Sequence, residues 1–152
     1  MKATQRDRQT GAVLVEAAFT LLTLCIFLFG IIEAGRFFQV QQFLTDAARE
    51  GARYAVTPLT QTTTMPTKAE ITTVVQQFAS AATGVTPTVD VDCLNLTTGA
   101  TITAGNVCGV CATACGTQVK ASSPYQIMSL AMFSDLSITL QGKALMRNET
   151  SP

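Results

Sequence analysis

From Ala12 to Ile32 the chain reads AVLVEAAFTLLTLCIFLFGII, 21 residues with one charge, Glu16. As an α-helix this run is about 31 Å long, close to the hydrocarbon thickness of a bilayer. A segment this apolar needs lipid or other apolar surface around it, and it decides the layout of everything that follows. The flanking charges are unequal. Residues 1–11 carry Lys2, Arg6 and Arg8 against Asp7, whereas residues 33–56 balance Glu33, Asp46 and Glu50 against Arg36, Arg49 and Arg53. By the positive-inside rule the N terminus is expected in the cytoplasm and the rest of the chain beyond the membrane, in a periplasm-like space. The uncharged core, Ala17–Ile32, is 16 residues long, which also suits a signal peptide. No small-x-small cleavage site follows it, because the run ends in Glu33-Ala34-Gly35-Arg36, so a retained helix is expected over a removed one.

Composition narrows the function classes. Only 13% of the 152 residues are charged, about half the share of a soluble domain, so part of the chain is expected out of water. Ten basic residues offset ten acidic ones, which argues against a nucleic-acid surface. There is no histidine, so His-based acid–base catalysis, Ser-His and Cys-His dyads and His-containing zinc sites are excluded. Nucleotide-loop and metalloprotease motifs are missing too. The chain is expected to be no enzyme, with no catalytic residue, cofactor or metal.

Glu16 is the exception inside the apolar run. A carboxylate at that depth costs roughly 2.5 kcal/mol or more near a helix centre and usually marks function, although a residue one turn into the run can also reach the interface. It is the fifth residue after Gly11, in G-A-V-L-V-E, and Gly11 closes the short basic leader. This arrangement resembles a prepilin signal of the type IV pilin superfamily. The resemblance implies a membrane peptidase that cuts Gly11–Ala12 on the cytoplasmic side and leaves the apolar helix in the mature protein. Ala12 then supplies an ammonium close to Glu16, so that the carboxylate is not left unpaired in lipid.

Beyond the membrane the helical period continues. In Arg36–Val56, Phe37, Val40, Leu44, Ala47, Ala48 and Ala55 fall near one face, and Asp46 with Arg49 has i,i+3 spacing. The spacing predicts one long helix over Ala12–Val56, with Gly30, Gly35 and Gly51 as possible bends and Pro58 as the stop. The stretches G-A-V-L-V-E-A-A-F, F-G-I-I-E-A-G-R and L-T-D-A-A-R-E-G-A-R-Y-A-V resemble the TadE-like proteins, pseudopilins of tight-adherence (Flp, type IVb) pilus systems. The closing S-I-T-L-Q-G-K-A-L-M-R-N-E resembles that family's last strand. Major pilins of the system usually have Tyr after the glutamate; Ala17 stands there, which favours a minor pseudopilin. The implied partners are the lipid bilayer, a prepilin peptidase, other pilins and the assembly platform, and the implied fold is pilin-like.

The outer part is expected to be small and α+β. Residues 57–67 hold six threonines and two prolines and form a linker. Thr67-Lys68-Ala69-Glu70 has capping-box spacing and opens a helix over 68–82, with Ile71, Val74, Val75, Phe78 and Ala82 as its apolar stripe and Gly84 at its end. Strand alternation follows in Val89, Val91 and Cys93 and in Leu136, Ile138 and Leu140, with a weaker strand over Thr117–Ser122. Together these predict a short antiparallel sheet. Residues 95–116 are expected to be a loop, and 123–135 a buried connector or a face for a partner helix. Asp90 and Asp92 are placed on one solvated strand face, and Asn95 and Asn148 begin glycosylation-type triplets.

Five cysteines divide by place. Cys25 lies in the apolar run. Cys93, Cys108, Cys111 and Cys115 lie outside and are expected to form two disulfides that stabilise a domain over 68–152. Three pairings are open, with Cys93 joined to a loop cysteine preferred. A Cys-x-x-Cys redox pair and a zinc site are the weaker readings, since no βαβ pattern surrounds the pair and the ligand spacing is irregular. The functional expectation is a minor pilin or pseudopilin acting in pilus assembly or priming. The alternatives are an anchored binding domain unrelated to pili and a secreted disulfide protein.

Overall fold

A computed structural model of the chain describes residues 4–57, 65–84, 86–102, 114–127 and 137–148. Helix α1 spans Thr4–Ala55, so it begins inside the basic leader rather than at Ala12. No proline interrupts the chain before Pro58, which itself lies outside the described residues. The threonines in α1 would weaken it if their hydroxyls went unpaired. Instead Thr20 and Thr23 donate to the carbonyls of Glu16 and Phe19, each at 2.9 Å, and Thr45 donates to Gln41 O at 2.8 Å.

The helix has two unlike halves. Up to Ile32 its large apolar side chains are exposed, and beyond Glu33 a stripe sinks into a core. Leu44, Ala47, Ala48, Ala52 and Ala55 are buried, with Phe37 and Val40 packed at the edge. Gly51 completes the stripe. A Cβ there would collide with Val75 Cγ2, so this glycine, expected as a bend, is a contact position.

Helix α2 spans Lys68–Thr83. Its N terminus is the predicted capping box: Thr67 Oγ1 accepts from Glu70 N at 3.3 Å, and Thr67 N donates to Glu70 Oε2 at 2.8 Å. These bonds hold the Glu70 carboxyl below its usual range, the backbone bond contributing most. Gly84 ends the helix at φ 70°, a left-handed conformation that suits glycine, and its N–H reaches Ser80 O at 2.9 Å. Ile71, Val75 and Ala79 are buried against α1; of the expected stripe Val74 is half-buried, and the Ala82 side chain lies outside those described. Phe78 is 44% exposed, which corrects its place on the core face: position 78 is turned about 100° from Ala79 and clears the contact.

Four strands follow: β1 (Thr88–Asn95), β2 (Thr101–Ile102), β3 (Cys115–Gln126) and β4 (Ser137–Arg147). They form one sheet in the order β2-β1-β3-β4, each neighbouring pair antiparallel. The expected loop over 95–116 is thus too long. Asn95 Oδ1 accepts from Thr97 N at 2.8 Å and Thr98 N at 3.2 Å, and this turn returns the chain so that Thr101–Ile102 pairs with β1. β3 also outruns the expected Thr117–Ser122 and takes in Ser123–Gln126 from the expected connector, of which residues 128–135 lie outside the described residues. Its inner positions are mostly small, so their period of two is faint in hydropathy. Pro124 falls beyond the Thr88–Ser122 rung, where β3 has β4 as a neighbour but no longer β1.

Both helices cover one face of the sheet, α1 across β3 and β4 and α2 against β1. β3 runs against the direction of α1. Val119 lies beside the Gly51 position, and Tyr125 lies beside Glu33 and Phe37. The closest approach is at Gly142 on β4, where a Cβ would strike the backbone of Leu44. Next to it, Gln41 Nε2 donates to Gln141 O at 2.9 Å. On the other face Lys120 Nζ bonds Asp92 Oδ2 at 2.8 Å, which raises the Lys120 pKa, and Asp90 is exposed.

Gly142→Ala is expected to destabilise the domain by about 1–3 kcal/mol, because the collision is with backbone that cannot rotate away. Gly35→Ala meets nothing within 4 Å and is expected to leave stability unchanged or raise it slightly. Thermal unfolding of both variants in detergent, followed by circular dichroism, checks the difference.

Candidate functional site

The first half of α1 has the chemistry of a membrane segment. Val13, Leu14, Val15, Phe19, Leu21, Leu22, Ile26, Phe27, Phe29, Ile31 and Ile32 are each more than half exposed. Among the described residues this is one helix long and apolar enough to cross a membrane, and none of its apolar stretch is buried in the fold. A core helix of a soluble domain would be covered by its own chain; this one is not. Gly11 and Ala12 are both helical, and a Cβ at Gly11 would meet nothing within 4 Å. Glu16 is exposed on the same helix. Ala12 and Glu16 stand at i,i+4 spacing and so share one face.

Where the apolar run ends, the outer domain takes hold of the helix. Tyr125 Oη donates to Glu33 Oε1 at 2.6 Å and lies 3.4 Å from Glu33 O. Glu33 Oε2 also accepts from Arg36 Nη1 at 3.3 Å. The Arg36 guanidinium lies 5.7 Å from the Tyr125 ring centroid, and the Phe37 ring meets that ring edge-on at 5.9 Å. Tyr125 is 5% exposed. Burial pushes its pKa up from the ordinary tyrosine value, and the bond to Glu33 adds to the rise. A carboxylate at the end of a membrane segment is thereby neutralised in part and tied to a strand 92 residues away.

Sequence reasoning missed this junction. Glu33 was legible as the boundary of the apolar run, but Tyr125 sat in a presumed connector, and nothing local pairs the two. Asn148, which begins one of the glycosylation-type triplets, is 2% exposed; its Oδ1 accepts from Thr117 Oγ1 at 3.2 Å and its N donates to Cys115 O at 2.9 Å, so its side chain is a buried fastener.

Cys93 and Cys115 lie at the opposite end of the sheet from the junction. Cys93 and Cys115 are buried and bonded rather than free, and Cys25 is the free cysteine among the described residues. Cys93 faces Thr117 and Cys115 faces Asn95 across the β1–β3 ladder. Cys108 and Cys111 lie outside the described residues. No metal-binding group of acidic or cysteine side chains occurs among the described residues.

The family model of the TadE-like proteins matches residues 11–53. The N-terminal segment is therefore similar to that family over these residues. The match begins at Gly11, covers Ala12 and Glu16, crosses the Glu33–Tyr125 junction and stops two residues before α1 ends. It covers under a third of the chain, and the sheet lies outside it. No curated protein and no solved structure matches the chain. The TadE-like segment therefore holds the membrane helix and the α1 stripe on which the sheet is built.

Tyr125→Phe is expected to cost about 1.5 kcal/mol or more, since a buried hydroxyl-to-carboxylate bond is lost. The pH dependence follows from the raised pKa. The folded state keeps the Tyr125 proton longer than the unfolded state does. That stabilisation is full below the unfolded value of about 10 and is lost as pH rises through the folded value. Unfolding midpoints measured across the alkaline range should fall more steeply for the parent than for Tyr125→Phe.

Proposed function

We propose that this protein is a minor pilin or pseudopilin of a tight-adherence pilus system, anchored by α1 until it joins or primes a filament. The observation that carries this is the TadE-like match beginning at Gly11 on a helix whose apolar half its own fold leaves bare. The basic leader would lie in the cytoplasm and the sheet outside the inner membrane, where other pilins and the assembly platform meet it. A prepilin peptidase would cut Gly11–Ala12. Because this bond sits within α1, cleavage requires the helix to open locally, and Gly11 has the lowest barrier to doing so. The released amine of Ala12 would then lie one turn from Glu16, so the two charges would enter an apolar helix bundle as a pair. The role is structural rather than enzymatic. Cys93, Cys108, Cys111 and Cys115 would close two disulfides at the end of the sheet farthest from the membrane.

The test is the N terminus and intact mass of the protein expressed with and without a cognate prepilin peptidase. The expected product begins at Ala12, depends on the peptidase and disappears with Gly11→Val. A start at Met1 despite active peptidase would leave an anchored domain unrelated to pili, and a start beyond Ile32 would mean a removed signal peptide. Alkylation of the denatured, unreduced protein should label Cys25 alone of the five cysteines; labelling of the outer four would overturn the disulfides.

A further inference from the structure

We infer that the outer domain rests on the bilayer surface, with the β3–β4 end of the sheet and Phe38 seated in the lipid headgroup layer as a second membrane contact beside α1. The inference rests on α1 spanning the membrane and on three observations. First, Tyr125 is bonded to Glu33, the residue directly after the last apolar position of the span, Ile32. The sheet therefore starts at the membrane boundary, with no stalk between the two. Second, the strand directions bring one end of the hairpin to that level. The register pairs Tyr125 with Ile138 and Gln126 with Ser137, while Gln141 and Gly142 lie higher, against Gln41 and Leu44. Third, apolar surface is bare at this level although a core is available nearby. Ile138 is 37% exposed and Phe38 is 63% exposed. Phe38 follows Ile32 by six residues, about 9 Å along the helix, which brings it to the outer edge of the headgroup layer.

The chemistry around these residues suits a lipid headgroup layer. Tyr125 presents a ring to the core and a hydroxyl to Glu33, the amphipathic habit of tyrosine at an interface. Arg36 lies beside it with its side chain 42% exposed, and the long apolar stem of an arginine lets the cation reach the phosphate layer. A domain seated in this way is held by the bilayer as well as by its linkage to α1, and extraction of α1 must lift both contacts.

The chain has no tryptophan, so single-tryptophan variants report position without background. The full chain is reconstituted in phosphatidylcholine–phosphatidylglycerol vesicles containing lipids brominated either near the headgroup or deep in the acyl chain. Four variants are compared: Ile138→Trp, Phe38→Trp, Phe27→Trp in the span and Phe78→Trp on α2. The expected result is quenching of Ile138→Trp and Phe38→Trp by shallow bromine, with emission blue-shifted relative to Phe78→Trp. Two sites keep the test decisive if one variant folds poorly. Quenching of Phe27→Trp while both interfacial reporters match Phe78→Trp would overturn the second contact alone. No quenching of Phe27→Trp by any lipid would overturn the spanning helix on which the inference depends.

Discussion

A single helix that changes its surroundings at Glu33 is the constraint on which the rest of this structure depends. Between Val13 and Ile32 α1 exposes its large apolar side chains, and none of this apolar stretch is buried in the described fold. Above Glu33 the same helix presents a stripe of leucine, alanine and glycine and becomes one layer of a two-layer domain. The switch needs no break in the backbone. It is made by side chains: the apolar run stops, a carboxylate appears, and Tyr125 caps that carboxylate from the sheet. The cap gives Glu33, at the end of the apolar run, a donor from the sheet in addition to Arg36.

Small residues set how closely the layers approach. Gly51 admits Val75 of α2, and Gly142 admits the α1 backbone at Leu44. Each is a position where the missing Cβ is the contact. Alanines at 47, 48, 52 and 55 extend the same logic along α1. Such a core gains little from the size of any one side chain. It gains from close packing; the Gln41–Gln141 hydrogen bond then ties the sheet to the helix, and Thr117–Asn148 ties β3 to the end of β4.

The two ends of the sheet serve different ends of the molecule. The membrane-proximal end carries the aromatic and charged junction, and the distal end carries Cys93 and Cys115. This polarity follows from β3 running against α1, which carries the chain from the distal cysteines at its start down to Tyr125. The TadE-like match stops within α1, and the sheet lies outside the matched residues.

Much of this was written in local sequence. The apolar run, the basic leader, the Gly11–Glu16 spacing, the Thr67–Glu70 capping box and the alternation of β1 all rest on contacts between near neighbours, which periodicity and spacing record. Gly84 as a helix stop belongs with them. What tertiary structure decided was everything that joins distant positions. β2 was hidden because two residues carry no period, and the length of β3 was hidden because threonine, alanine and serine fill inner positions that a hydropathy pattern expects to be large. Tyr125 meets Glu33 only because the sheet delivers it there, and Gly142 became a contact position only because β4 crosses Leu44. Sequence determined which part of the helix is long and apolar enough to cross a membrane, since apolar length alone sets that. Only the fold could decide which residues close the boundary above it, since that depends on the register of strands nearly a hundred residues later.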